Sequence, residues 1–324
     1  MSIYRCLERT VILVVAAALM SAFAHANEPA QQTPGAGQEM GTLVTAEWLS
    51  RHLGDPDLVV IDCTVTIEPD EAGGIRMVNG RASFESGHIP TAGFADLMGE
   101  LSDADSTLEF APVSPEQFVE AMARLGVSDD SRVVLYDANY SVWAARVWWM
   151  LRWVGFDRAA LLDGGLNAWT AAGHPLSTES ADPPPGRLTL NLRPELIADR
   201  NEVLESLGSD TVTLVDAMPG AHYRGEVSMY ARPGHIPGAL NMPSTLLLDE
   251  NRRFRPLDEL EMLIDADQHA RTITYCGGGI SASADAFVLT RLGFTNVAVY
   301  AASLEEWAAD PENPMETDGE SAGQ

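Results

Sequence analysis

The chain carries one pattern twice. Gly87-His88-Ile89-Pro90 recurs as Gly234-His235-Ile236-Pro237, and Val133-Val134-Leu135-Tyr136-Asp137 recurs as Thr272-Ile273-Thr274-Tyr275-Cys276. Further on, Leu151 with Gly155-Phe156 answers Leu289 with Gly293-Phe294, and Leu166-Asn167-Ala168-Trp169 answers Leu304-Glu305-Glu306-Trp307. The offset is 139 at Asp137 and Cys276 and 138 from the Gly-Phe pair onward. The second copy is therefore one residue shorter in the loop that follows the shared strand. Each copy alternates β-branched runs with helical periodicity, which predicts a parallel sheet covered by helices on both faces. With 324 residues the chain has room for two such units, each burying its own core.

In the first copy the pattern predicts a helix over 45–53, a buried strand over 58–62 and a long irregular segment to 112. A helix opened by Ser114-Pro115-Glu116 follows, then a strand over 132–137, a helix through 146–154, a strand over 159–162 and a helix over 166–172. The first domain is read as 41–179. Residues 180–186, with Pro183-Pro184-Pro185, form a stiff linker. The second domain spans 187–315, and the small acidic residues of 316–324 are expected to be a disordered tail. At the other end, Arg5 and Arg9 precede an apolar run over 11–24 and the small-x-small site Ala24-His25-Ala26. Residues 1–26 thus have the form of a secretory signal peptide, too short in its apolar part for a membrane span, and 27–40 read as a flexible leader. The expectation is an exported protein with no membrane attachment after cleavage, periplasmic in a two-membrane bacterium.

The second copy's strand ends in Cys276 and runs on as Gly277-Gly278-Gly279-Ile280-Ser281 into a helical pattern over 281–292. A cysteine at such a strand-to-helix turn faces a ring of backbone N–H groups and the positive end of a helix dipole. Both favour a thiolate, so Cys276 is expected to be a nucleophile of lowered pKa. The first copy has Asp137 there and is expected to be catalytically silent, forming one wall of the cleft. Cleavage would remove Cys6 and leave Cys63 and Cys276. A disulfide between them would cap the evident nucleophile; the alternative is that Cys63 is a small, semi-buried residue. Trp143, Trp148, Trp149 and Trp153 crowd one helix and read as packing.

Charge narrows the partners. There are 47 acidic residues against 20 basic ones, and every basic one is arginine; the formal charge is −27. Nucleic acid and anionic lipid are excluded as partners, and an anionic substrate would need local arginines or backbone dipoles. A cysteine phosphatase needs Cys-(x)5-Arg, but Ala282 stands six positions after Cys276 and no arginine follows until Arg291. No metal-ligand spacing and no Cys-x-x-Cys is present, so neither a metal nor any other cofactor is expected.

These residues, from about 42 to 314, resemble the two-domain rhodanese (sulfurtransferase) family. Ala145-Arg146-Val147-Trp148-Trp149-Met150 and Leu162-Asp163-Gly164-Gly165-Leu166 look like its N-terminal half. Val215-Asp216-Ala217, Tyr223-Arg224-Gly225, the segment 234–243 and the Cys276 loop look like its C-terminal half. The resemblance implies an α/β fold of two tandem rhodanese-like domains, each a parallel sheet flanked by helices. It also implies that Cys276 moves sulfane sulfur, as a persulfide, from a small donor anion (thiosulfate or 3-mercaptopyruvate) to a thiol or cyanide. The loop Gly277, Gly278, Gly279, Ile280 and Ser281 would hold the persulfide, with Arg224, Arg232, Asp216 and His88 as candidate substrate-binding residues. Thiosulfate-type members read Cys-Arg-Lys-Gly-Val-Thr and mercaptopyruvate-type members Cys-Gly-Ser-Gly-Val-Thr. This loop has neither the cations nor the serine and lies nearer the second pattern. It departs from the family on the substrate side too, with Met218 in place of the arginine of Asp-x-Arg and His222 where another arginine is expected. A non-catalytic sulfur-carrier or binding module is the alternative; it would keep the fold yet turn over no small donor.

Overall fold

The computed structural model describes residues 40–69 and 75–318. The signal-peptide reading, and all but the last residue of the leader, lie outside the described residues. No helix among the described residues is long and apolar enough to cross a membrane.

Two five-stranded parallel sheets repeat one topology. The first contains β1 (Leu43–Val44), β2 (Leu58–Asp62), β5 (Gly93–Phe94), β6 (Arg132–Tyr136) and β7 (Ala159–Leu162), in the order β1-β7-β6-β2-β5. The second contains β8 (Ile197–Ala198), β9 (Val212–Asp216), β10 (Leu240–Asn241), β11 (Arg271–Tyr275) and β12 (Val297–Tyr300), in the order β8-β12-β11-β9-β10. The central strands β6 and β11 are buried from their second residue to their last. That is why they read as β-branched runs without alternation. Thr272 and Thr274 are fully buried in β11, and the Thr274 hydroxyl donates to the Ala282 carbonyl at 2.9 Å.

Helices cover both sheets. The first unit has α1 (Ala46–His52), α2 (Arg81–Ser86), α3 (Pro115–Arg124), α4 (Val142–Trp153) and α5 (Gly165–Ala171). The second has α6 (Arg200–Ser206), α7 (Gly220–Tyr223), α8 (Leu257–Glu261), α9 (Ile280–Arg291) and α10 (Ser303–Trp307). Sequence signals placed α3 well, because Ser114 and Gln117 form a reciprocal capping box with Pro115 at the first helical position. They missed the first turn of α4, which starts at Val142 rather than near Arg146. Ser141 makes no side-chain cap; the free N–H groups there are satisfied from outside the helix, by Asp137.

Helices α4 and α9 pack against each other and join the two halves. Trp148 meets Phe287 edge-on at 4.9 Å between ring centres, and Trp149 stacks on Trp153 at 5.9 Å. Both helices are buried nearly all round, so neither shows a one-sided apolar stripe.

Two readings need correction. The segment expected to be irregular up to residue 112 contains an antiparallel hairpin, β3 (Val65–Pro69) with β4 (Ile75–Asn79), besides α2 and β5. Its strands mix polar and apolar residues because the hairpin stands off the sheet, with Ile67 and Glu68 exposed. The tail, expected to be disordered from Glu316, is tied down at that residue: the backbones of Glu316 and His235 exchange two hydrogen bonds of 2.9 Å. Residues 319–324 lie outside the described residues.

Candidate active site

Strand β11 delivers Cys276 to the start of α9, as the sequence implied. Cys276 is free, 3% exposed, and lines the floor of a cavity of about 530 Å3 between the two halves. Backbone N–H groups of Ala282, Gly278 and Gly279 act on its sulfur and favour a thiolate. Burial nevertheless outweighs them and pushes the thiol up, with the charge of Asp216 adding to it. The expected lowered pKa is therefore corrected. The residue is almost wholly buried, and desolvation penalises its charged form.

The first half shows what the loop is built to do. Asp137 Oδ1 accepts from the N–H groups of Asn139 (2.8 Å) and Ser141 (3.0 Å), and Oδ2 from those of Trp143 and Ala144 (3.1 Å each). Ser141 and Ala144 are the repeat partners of Gly279 and Ala282. The same ring thus holds a carboxylate in one half and a thiol in the other. Asp137→Ala would leave four N–H donors, three of them buried, without a partner and is expected to cost about 3 kcal/mol of stability, read by denaturant unfolding.

Of the loop's three glycines, one is required by close backbone approach and a second is crowded by the end of a side chain. Gly279 has φ +77°, and a Cβ there would lie 2.6 Å from the Ala301 carbonyl oxygen. At Gly277 a Cβ would fall 1.6 Å from the Tyr230 hydroxyl. Gly278 has room, its Cβ position being 3.5 Å from Glu305 Oε2 and 3.6 Å from the Phe110 ring. The loop is anchored behind by α10. Ser303 Oγ accepts from Cys276 N at 3.1 Å, and the N–H groups of Leu304 and Glu305 donate to the carbonyls of Cys276 and Gly277. Ser303 itself sits at φ +51°, a conformation rare for serine. Ile280 and Ser281 line the cavity.

Arg146 joins the site from the other half. Its guanidinium is buried under the loop, donating to the carbonyls of Phe110 (2.8 Å) and Gly279 (3.4 Å) and lying over the Trp149 ring. Burial pushes it down to about 10, and Cys276 is the ionisable neighbour that opposes this. It stays protonated at neutral pH and places a positive charge behind the sulfur. The sequence offered only the segment around Arg146, with nothing to say that an α4 residue meets a loop over 130 positions away.

The other proposed substrate-binding residues are elsewhere. Arg224 is exposed and paired with Glu226 at 2.7 Å. Arg232 spends its donors on the carbonyls of Trp307, Ala308, Asp310 and Asn313, pinning the chain after α10. His88 is buried; its ring nitrogens lie 2.8 Å from the Phe84 carbonyl and 3.0 Å from that of Glu179, and the ring stacks on Phe84. His235 repeats this arrangement with Tyr223, so Gly-His-Ile-Pro is a structural clamp. None of Arg224, Arg232 and His88 lines the Cys276 cavity.

Asp216, at the end of β9, is fully buried and accepts from Met218 N at 2.8 Å, supporting the loop from behind. Burial raises it from 3.8 to about 7. A group raised in this way contributes stability that is complete at low pH and is lost as pH rises toward its folded value. Asp216→Asn should therefore raise the unfolding free energy relative to wild type at about pH 8, by up to about 3 kcal/mol, and the gain should vanish near about pH 4.

The rhodanese-like domain family matches residues 45–172 and 199–310, once in each half. This chain is a member of the rhodanese family. It is 33% identical to 3-mercaptopyruvate sulfurtransferase of Escherichia coli K12 over 84% of this chain and 97% of that one. Thiosulfate sulfurtransferase of Gallus gallus is 31% identical over 84% of this chain and 95% of its own. Among solved structures, the rhodanese-fold 3-mercaptopyruvate sulfurtransferase SseA of Escherichia coli superposes with a TM-score of 0.72 at 33% identity, covering 82% of this chain and 99% of that one. The fold is that of two rhodanese-like domains, and the enzymatic class of the relatives is sulfur transfer.

Proposed function

We propose that this rhodanese-family chain is an exported sulfurtransferase whose Cys276 takes sulfane sulfur from thiosulfate or 3-mercaptopyruvate and passes it to a thiol or cyanide. The carrying observation is the N–H ring at Cys276, whose first-half counterpart holds the Asp137 carboxylate through four N–H groups. Burial raises the Asp137 carboxyl and these N–H groups oppose the rise; the same donors would favour a persulfide anion at Cys276.

With thiosulfate, the Cys276 thiolate attacks the outer sulfur, the donor's S–S bond breaks and sulfite leaves with the electron pair. With 3-mercaptopyruvate the carbon–sulfur bond breaks, and the carbon takes a proton as pyruvate leaves. The acceptor then attacks the outer sulfur of the persulfide, and the Cys276 thiolate is regenerated. No oxidant is consumed. The buried Cys276 gains its charge as the donor fills the cavity, with Arg146 and the positive end of α9 opposing the cost.

Incubation with each donor should leave the mass of one sulfur atom on the Cys276 peptide, and cyanide should release it as thiocyanate. Neither donor is expected to be fast, because no arginine lines the described cavity; 3-mercaptopyruvate, a monoanion, should do better than the dianion thiosulfate. Absence of sulfur on Cys276 with both donors would overturn the reading, and a persulfide without turnover would point to a carrier. Residues 1–26 are assigned to a cleaved export signal, so the mature protein should begin at Asn27, read by N-terminal sequencing.

A further inference from the structure

The cavity above Cys276 has two electrical zones. Its floor is positive in character: the N–H ring, the start of α9 and the buried Arg146 all face the sulfur side. Its outer chamber is the opposite. Glu109 from the first half and Glu305 from the second line it, and no arginine, lysine or histidine is among its described lining residues. The two acids are neighbours, since the Glu109 backbone N–H donates to both Glu305 carboxylate oxygens at 3.1 and 3.3 Å. The Glu109 carboxyl is pushed up by burial and then by the Glu305 charge, and no cation among the described residues acts on it. Glu305 is also close to the chemistry, its Oε2 lying 3.5 Å from where a Cβ on Gly278 would be.

Aromatic and thioether groups line the same cavity. Phe110, Trp143, Tyr140 and Tyr230 contribute rings, and Met218 and Met229 fill the gaps. Phe110 and Trp143 pack against each other at 5.3 Å, and Arg252 lies over the Tyr140 ring at 4.9 Å. Such faces attract organic cations through the ring quadrupole. A bare metal ion is poorly served, because no group of three or more potential ligands occurs among the described residues.

We infer that the outer chamber selects a sulfur acceptor carrying an organic ammonium group, with Glu109, Glu305 and the aromatic walls holding the cation while its thiol meets the sulfur on Cys276. The inference rests on the sulfurtransferase reading and names its acceptor class. The acceptor is short, because Glu305 borders the loop itself. In the transfer, the acceptor's thiolate forms a bond to the outer sulfur. The bond between that sulfur and Cys276 breaks, its electron pair returns to Cys276, and the acceptor leaves as a persulfide.

The charge preference can be measured without sulfur transfer. Three methanethiosulfonate reagents, carrying trimethylammonium, no charge or sulfonate, each modify a thiol by displacing methanesulfinate. Modification of the Cys276 peptide is followed by mass spectrometry, each rate being divided by that reagent's rate with free 2-mercaptoethanol. The trimethylammonium reagent should be favoured over the sulfonate by about tenfold or more, and Glu305→Gln or Glu109→Gln should cut that ratio by about threefold or more. In the wild type, choline chloride should slow modification by the neutral reagent more than sodium chloride at equal ionic strength, a readout that needs no variant. Normalised rates equal within about twofold, or faster reaction with the sulfonate, would overturn the inference. Absence of a persulfide on Cys276 would instead remove the sulfurtransferase reading, whatever the charge preference.

Discussion

Cys276→Ser should reduce sulfur transfer to less than about a thousandth of wild type, because a hydroxyl is a far weaker nucleophile and cannot carry sulfane sulfur. The fold should survive. The replacement is nearly isosteric, and the backbone bonds that hold the residue, to Ser303 Oγ and from Leu304 N, do not involve the sulfur. Cys63→Ala is the control. Cys63 is fully buried after β2, its thiol pushed up by burial and then by Asp62 and Asp137, and it lies outside the Cys276 cavity. It should retain most activity. Equal loss in both variants, with unchanged thermal unfolding, would indicate a two-cysteine mechanism. Both cysteines are free in the structure, so the disulfide alternative raised by their number does not hold there.

Gly279→Val should cost about a hundredfold in rate and about 2 kcal/mol in stability, whereas Gly278→Ala should stay within about threefold of wild type in rate. A left-handed φ alone does not set the difference, since the repeat partner Ser141 takes φ +60° with a side chain. Close approach does. The Ala301 oxygen and the Arg146 guanidinium would lie 2.6 and 2.9 Å from a Cβ on Gly279, while the space at Gly278 is open. Moving Gly279 would misdirect its own N–H and disturb the carbonyl that receives Arg146. Rates measured with either donor, alongside denaturant unfolding, separate the two effects. A Gly278→Ala enzyme as impaired as Gly279→Val would show that the crowding argument is wrong.

The parts of the site that were legible in the sequence are those made by neighbours in the chain. Cys276, the three glycines and the start of α9 form one continuous segment, and a strand-turn-helix pattern places them without reference to anything distant. Arg224, Arg232 and His88 failed as substrate-binding candidates because a side chain's partners are decided by what packs around it. Arg232 met four carbonyls of the chain after α10, and His88 met the carbonyls of Phe84 and Glu179. The thiol's direction of shift was misjudged for the same reason. The N–H ring is local and was foreseen; the burial that outweighs it is a product of packing in three dimensions.

By itself the sequence determined that one α/β unit is used twice, that only the second copy carries a cysteine at the strand end, and that no phosphate clamp follows it. These are questions of period and spacing, which local backbone geometry enforces. Only the tertiary structure decided that Arg146 lies beneath the loop and that Tyr230 covers Gly277. It also decided that Glu109 and Glu305, 196 residues apart, meet in one chamber. The packing of α4 on α9 brings the two sheets' loop ends together, and a contact across that seam depends on how whole surfaces fit, which no short stretch of residues encodes.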